Sequence, residues 1–125
     1  MYALGTRNLQ VYTLFGAQTL TATGNSASAD VKGTSSGGQH EQRVHINLQT
    51  VTGTTPTIAF QAQDSPDNAT FTNIIGATTA TLTAAGATDF YFKSQNRYVR
   101  LVATLGGTTP AFTLSADLYE KLRTV

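Results

Sequence analysis

Apolar side chains recur at every second position in four separate segments of this chain. Val44, Ile46 and Leu48 alternate with His45, Asn47 and Gln49 within Arg43–Thr52, and Ile58, Phe60 and Ala62 share one face of Thr57–Asp64. Val99, Leu101, Ala103 and Leu105 repeat the pattern in Arg97–Leu105, and Phe112, Leu114, Ala116 and Leu118 repeat it again. A period of two is that of a strand with one buried face; a helix does not keep it. Threonine is the outlier in composition, 23 of 125 residues, and its branched Cβ suits strands better than helices. Leu9–Phe15, Thr19–Thr23, Ser28–Lys32, Thr70–Ile75, Thr78–Thr83 and Thr88–Lys93 are further candidate strands. Eight or nine short strands drawn from these ten candidates, each with one apolar face, must bury those faces against one another. The expected fold is therefore all-β, an antiparallel β-sandwich of jelly-roll-like form, with a partly closed barrel as the alternative.

The expected organisation is an N-terminal arm or edge strand over 1–15, one sandwich domain over 16–118, and a C-terminal tail over 119–125. Residues 33–42 (GTSSGGQHEQ) hold no hydrophobic side chain and read as a polar surface loop. Asp64-Ser65-Pro66-Asp67-Asn68 is rich in turn formers, whose side chains bond to nearby backbone. Gly53-Thr54-Thr55-Pro56 is echoed by Gly107-Thr108-Thr109-Pro110, 54 residues later, and each copy stands between two alternating segments. Two hairpins are the expected result. The echo itself reads either as a twofold pseudo-symmetry or as the same turn chemistry reached twice.

Charge and residue type exclude several function classes. Eight basic and seven acidic residues leave a net charge of +1, with no clustered Lys and Arg to neutralise a nucleic-acid backbone. Zero cysteines exclude disulfides, thiolate metal sites and cysteine nucleophiles. No apolar run is long enough for a membrane helix, and the first residues show no signal-peptide pattern. His40 and His45 lack a third ligand at motif spacing and read as surface histidines. Asp64 and Asp67 read as turn-capping residues rather than a calcium site or a glycosidase pair. No nucleophile elbow or phosphate-binding loop is present. The expectation is a protein that is not an enzyme and needs no cofactor and no metal.

Candidate partner-binding residues fall in three places. Leu9, Val11, Tyr12 and Phe15 form the amphipathic arm or edge strand. Tyr91 stands within Phe90-Tyr91-Phe92, where at least one ring must face away from its neighbours, as suits an interface. Tyr98 and Arg100 share a strand face with Val102, near Arg97, and fit either a protein or a sugar contact.

The stretch Gln61 to Asn73, Q-A-Q-D-S-P-D-N-A-T-F-T-N, is followed by the Thr/Ala-rich middle and by R-Y-V-R-L-V-A-T-L-G-G-T-T-P-A-F-T-L-S-A at Arg97 to Ala116. This order resembles small structural proteins of tailed bacteriophages encoded among head and neck genes, over roughly Gly16 to Leu118. The resemblance implies a non-enzymatic virion protein on the capsid surface. Its partner would be the major capsid protein, whose lattice it would cement or decorate as a homo-oligomer, a trimer being favoured. A tail, neck or fibre component is the alternative within the same family. The S-x-D-x-x-x-F turn is also similar to one in carbohydrate-binding sandwich modules, a third reading that the absence of tryptophan weakens. Neither nucleic acid nor membrane is an expected partner.

Overall fold

A computed structural model describes residues 9–31 and 41–121. His40 and most of the polar loop lie outside the described residues, as do the first eight residues and 122–125 of the expected tail. Seven strands run through the described chain: β1 Leu9–Leu20, β2 Gly24–Asn25, β3 Ala29–Asp30, β4 Glu41–Ser65, β5 Thr72–Thr78, β6 Gly86–Phe92 and β7 Tyr98–Lys121. All pairings are antiparallel. The all-β, antiparallel, jelly-roll-like expectation holds; the strand count differs because two strands are long and because Thr78–Thr83, expected as a strand, makes beyond Thr78 only an isolated bridge from Leu82 to Ile58.

β4 has 25 residues and β7 has 24, and they pair with each other along almost their whole length. The two expected hairpins do not form. Each Gly-Thr-Thr-Pro segment is a break within a long strand, and the two breaks face each other: Thr52 pairs with Ala111, Thr54 with Thr108 and Thr57 with Gly106. Glycine and proline signal a change of direction, but a bend in a ladder and a reversal into a hairpin use the same residue types. What decides between them is the partner strand, half a chain away in sequence.

The register shows that the echo is a twofold relation in space. A rotation about the Thr54–Thr108 pair carries residues 50–59 of β4 onto 104–113 of β7 by the sequence offset of the repeat. Thr57↔Gly106 then becomes Thr52↔Ala111, Ile58↔Leu105 becomes Val51↔Phe112, and Ala59↔Thr104 becomes Thr50↔Thr113, all of them observed pairs. Backbone angles repeat likewise: φ is 118° at Gly53 and 99° at Gly107, and 48° at Thr55 and 47° at Thr109.

The bent ribbon makes two layers. Residues 111–121 of β7 lie between β1 and the first half of β4, and β6 borders that half on its other side. Residues 98–106 of β7 lie between β2 and β3 and the second half of β4, with β5 beyond. Val44, Ile46 and Leu48 from one layer and Ile58, Phe60 and Ala62 from the other enter one core with Val99, Leu101, Phe112, Leu114 and Leu118. Phe15 crosses between layers and meets Phe60 edge-on, with ring centroids 6.4 Å apart.

β1 departs from strict alternation. Its register with β7 shifts between Thr13 and Phe15, and the bulge turns both Leu14 and Phe15 inward. Val11 and Phe15, which strict alternation would put on one face, end up apart: Val11 is 53% exposed and Phe15 2%. Gln42, expected in the polar loop, is fully buried. Its amide donates to Ser94 Oγ at 3.1 Å, and its Oε1 accepts the Ser94 N–H at 2.9 Å.

Candidate functional site

One row of side chains crosses the outer face of the first layer from edge to edge. Val11 on β1 pairs with Tyr119 on β7, Tyr119 with Arg43 on β4, and Arg43 with Tyr91 on β6. The four residues share the outward face because β4, β6 and β7 alternate with buried neighbours: Val44, Phe92 and Leu118 point inward. The Arg43 guanidinium lies 4.6 Å from the centre of the Tyr119 ring, and its Nη1 donates to Asp89 Oδ2 at 3.2 Å. The next row pairs Thr13 with Asp117, Asp117 with His45, and His45 with Asp89. His45 Nδ1 is bonded to Asp89 Oδ1. Tyrosine and arginine are the residue types that dominate protein interfaces.

Of the residues expected to bind partners, this face unites Val11 and Tyr91. Leu9 continues β1 in register with Lys121. Tyr12 turns the other way, and its hydroxyl donates to Glu120 Oε1 at 3.4 Å. Burial, and then the Glu120 carboxylate, raise its pKa above the ordinary phenol value. Phe15 belongs to the core and offers no surface. Arg43 and Tyr119 were missed. The signal was present for both: Arg43 has the parity of His45 at the start of its strand, and Tyr119 continues the outward series Ser115, Asp117 beyond Leu118.

Tyr98 and Arg100 lie on the outer face of the other layer and are engaged within the chain. Arg100 Nε donates to Gln63 Oε1 at 2.9 Å, and its guanidinium sits 4.0 Å from the Phe71 ring centre. Arg97 lies 5.2 Å from the Tyr98 ring centre and makes a two-pronged pair with Asp30, both bonds 2.8 Å. The hydrogen bonds and the negative charge of Asp30 hold the Arg97 guanidinium yet more firmly protonated.

The third feature is on β5. Gln63 pairs with Asn73 and Gln61 with Thr78, so Ile74, Ile75, Gly76 and Ala77 stand opposite Ala62 alone. The Gln61 amide fastens this wide bulge, with its Nε2 at 2.7 Å from Ala62 O, 3.0 Å from Ile74 O and 3.1 Å from Ala77 O. Gly76 takes φ 81°. The result turns Ala77 into the core and leaves Ile75 99% exposed. Beside it runs an open cleft of about 350 Å³, whose lining includes Asp64, Asn73, Ile75, Lys93, Gln95 and Asn96.

The two aspartates where β4 ends and leads to β5 are structural. Asp64 is buried and accepts the Gln95 N–H at 2.9 Å and the Asn96 amide at 3.2 Å. Asp67 Oδ1 accepts the N–H groups of Thr70 and Ala69, both at 3.0 Å, and the Ser65 hydroxyl at 2.8 Å. These bonds, led by that of Thr70, pull its pKa below the usual carboxylate range. Among the described residues no group of three or more His, Cys, Asp and Glu is placed to hold a metal ion.

No family model matches the chain, and no curated protein does. Solved structures do match. The crystal structure of the PBSX exported protein XepA aligns with 93% of this chain at a TM-score of 0.59 and 13% identity. Dimeric latent PorU from Porphyromonas gingivalis aligns with 91% at a TM-score of 0.53 and 13% identity. The chain spans 38% of the length of the first and 12% of the second. At this identity the likeness is one of fold: a jelly-roll-like sandwich that also occurs as part of longer chains.

Proposed function

We propose that this is a non-enzymatic virion structural protein that binds the outer capsid lattice and stabilises it, as a symmetric oligomer. One observation carries the reading. The exposed large apolar side chains among the described residues are Val11, Ile75 and Tyr91, and each stands on an edge strand, β1, β5 and β6. An edge strand presents unpaired N–H and C=O groups, which folded proteins commonly guard with charge. Apolar residues at such edges suit cover by protein, through strand addition and packing together. The resemblance of Gln61–Asn73 and Arg97–Ala116 to phage head and neck proteins supports the capsid lattice as that cover. Copies held on a symmetric lattice add avidity to contacts that are individually small.

Mixing the purified protein at micromolar concentration with capsids that lack it tests the reading. Co-sedimentation at a stoichiometry matched to the lattice is expected, and its absence overturns the proposal. A tail, neck or fibre role uses the same edges on a different partner. Imaging the native particle distinguishes them by the position and number of copies.

A further inference from the structure

We infer that β6 pairs edge to edge with β6 of a second copy of this chain, antiparallel and centred on Tyr91, as a two-fold contact of the proposed oligomer. Among the described residues β1, β5 and β6 each pair with a single neighbour. β1 is interrupted by two register shifts, and β5 by the bulge between Asn73 and Thr78. β6 runs beside β4 from Gly86↔Leu48 to Phe92↔Gln42 without a shift. Its free side is therefore a regular row of backbone N–H and C=O groups. No Lys, Arg or Pro stands in Gly86–Phe92 to discourage pairing. The single charge there, Asp89, is drawn back toward β4 by Arg43 Nη1 and His45 Nδ1. Phe90 faces inward opposite Val44 yet is only half-buried, and Tyr91 is 59% exposed. An added strand covers both rings.

Charge complementarity selects a second copy and sets the register. A two-fold axis normal to the sheet keeps outer face with outer face, so only residues of equal parity meet. Asp89 opposite Asp89 brings like charges together. Phe90 opposite Phe90 leaves Asp89 facing Tyr91. Tyr91 opposite Tyr91 places Asp89 opposite Lys93 twice, once on each side of the axis. Lys93 directly follows β6, is exposed, and makes no ion pair among the described residues. Within 86–93 it is the only basic residue, so no other register pairs opposite charges. On the inner side the same register sets Phe90 against Phe92, which extends the contact these two rings already make at 5.8 Å within one chain. The outer row Val11–Tyr119–Arg43–Tyr91 then continues across the axis into its own copy.

The inference rests on the symmetric oligomer of the proposed function and makes no use of the capsid. The chain has no cysteine, so introduced cysteines read the register in the purified protein. Tyr91→Cys is expected to form a disulfide-linked dimer under mild oxidation, because directly opposed Cβ atoms lie about 4.5–5.5 Å apart, within a small adjustment of disulfide geometry. Lys93→Cys alone is expected to stay unlinked, since its two copies stand about 13 Å apart along the strands, and to cross-link when mixed with Asp89→Cys. Sedimentation of wild type at about 100 µM is expected to show dimer, and Lys93→Glu to weaken it at least about tenfold with an unchanged melting temperature. A monomeric wild type, together with no more cross-linking of Tyr91→Cys than of Thr83→Cys on the surface elsewhere, overturns the pairing. So does an oligomer that Lys93→Glu leaves intact, or one in which Lys93→Cys alone links as readily as Tyr91→Cys; the oligomer then uses another face. Co-sedimentation with capsids is read separately, so its failure beside an intact dimer overturns the capsid reading alone.

Discussion

Asp67 shows how much one exposed side chain organises. Its Oδ1 gathers the Ser65 hydroxyl and the N–H groups of Ala69 and Thr70, which closes the connection from β4 to β5 and so sets the approach of β5 to its cleft. These donors favour the carboxylate and lower its pKa in the folded chain. The stabilisation is therefore present above the unfolded pKa and is lost as pH falls through the lower folded one. Asp67→Asn is expected to melt lower than wild type at neutral pH and to show a smaller fall in melting temperature on acidification. Parallel melting curves at every pH would contradict the assignment. Phe60 illustrates the opposite case, a residue with only packing to offer. It is fully buried and touches Phe15 across the layers, so Phe60→Ala is expected to cost about 3–5 kcal/mol, read from chemical denaturation. Its burial was legible from the alternation with Ala59 and Gln61. The burial of Phe15 was not, because a bulge moves parity without leaving a mark in the local pattern.

At the scale of elements, the facing Gly-Thr-Thr-Pro breaks decide the architecture. A Cβ on Gly53 would stand 2.7 Å from Thr109 O, and one on Gly107 would run closer still into the equivalent Thr55 O. Both glycines also have positive φ. Gly53→Ala and Gly107→Ala are each expected to destabilise by at least about 2 kcal/mol, and by similar amounts because the twofold gives them equivalent surroundings. A difference of several-fold between the two would show that the breaks are not energetically equivalent. The β5 bulge makes a second test. Gln61→Leu leaves the Ile74 and Ala77 carbonyls without their amide donor and is expected to cost about 1–2 kcal/mol in denaturation. If the protein binds a capsid as proposed, Ile75→Asp is expected to weaken that binding and leave stability unchanged, because the side chain is exposed. The strands themselves were readable in the sequence, down to which residues of Arg43–Leu48, Thr57–Ala62, Val99–Leu105 and Phe112–Leu118 face inward. Their pairing was not. Thr54 meets Thr108 across 54 residues of chain, and local turn chemistry says only that direction changes there. The outer row was half legible: Val11 and Tyr91 stood out as apolar and aromatic, but Arg43 and Tyr119 join them only once β1, β7, β4 and β6 lie side by side.

The whole molecule follows from β4 and β7 each passing through both layers. A sandwich built from separate strands can loosen one sheet while the other persists. Here the first half of β4 pairs with the second half of β7, and the second half of β4 with the first half of β7. Opening either layer therefore releases strands that continue into the other. The core crosses the same division, since Phe15, from one layer, packs on Phe60 from the other. One cooperative unfolding transition is the consequence, and it has a specific mutational signature. Val44 and Leu101 are both fully buried, one in each layer. Val44→Ala and Leu101→Ala are expected to shift one and the same calorimetric transition, by amounts corresponding to about 1–3 and 2–5 kcal/mol respectively. Native-state hydrogen exchange in each variant is expected to lower protection equally at 44–48 and at 99–103. If Leu101→Ala sped exchange around 99–103 and left 44–48 untouched, the layers would be independent units, and the long strands would be joined segments rather than a shared frame.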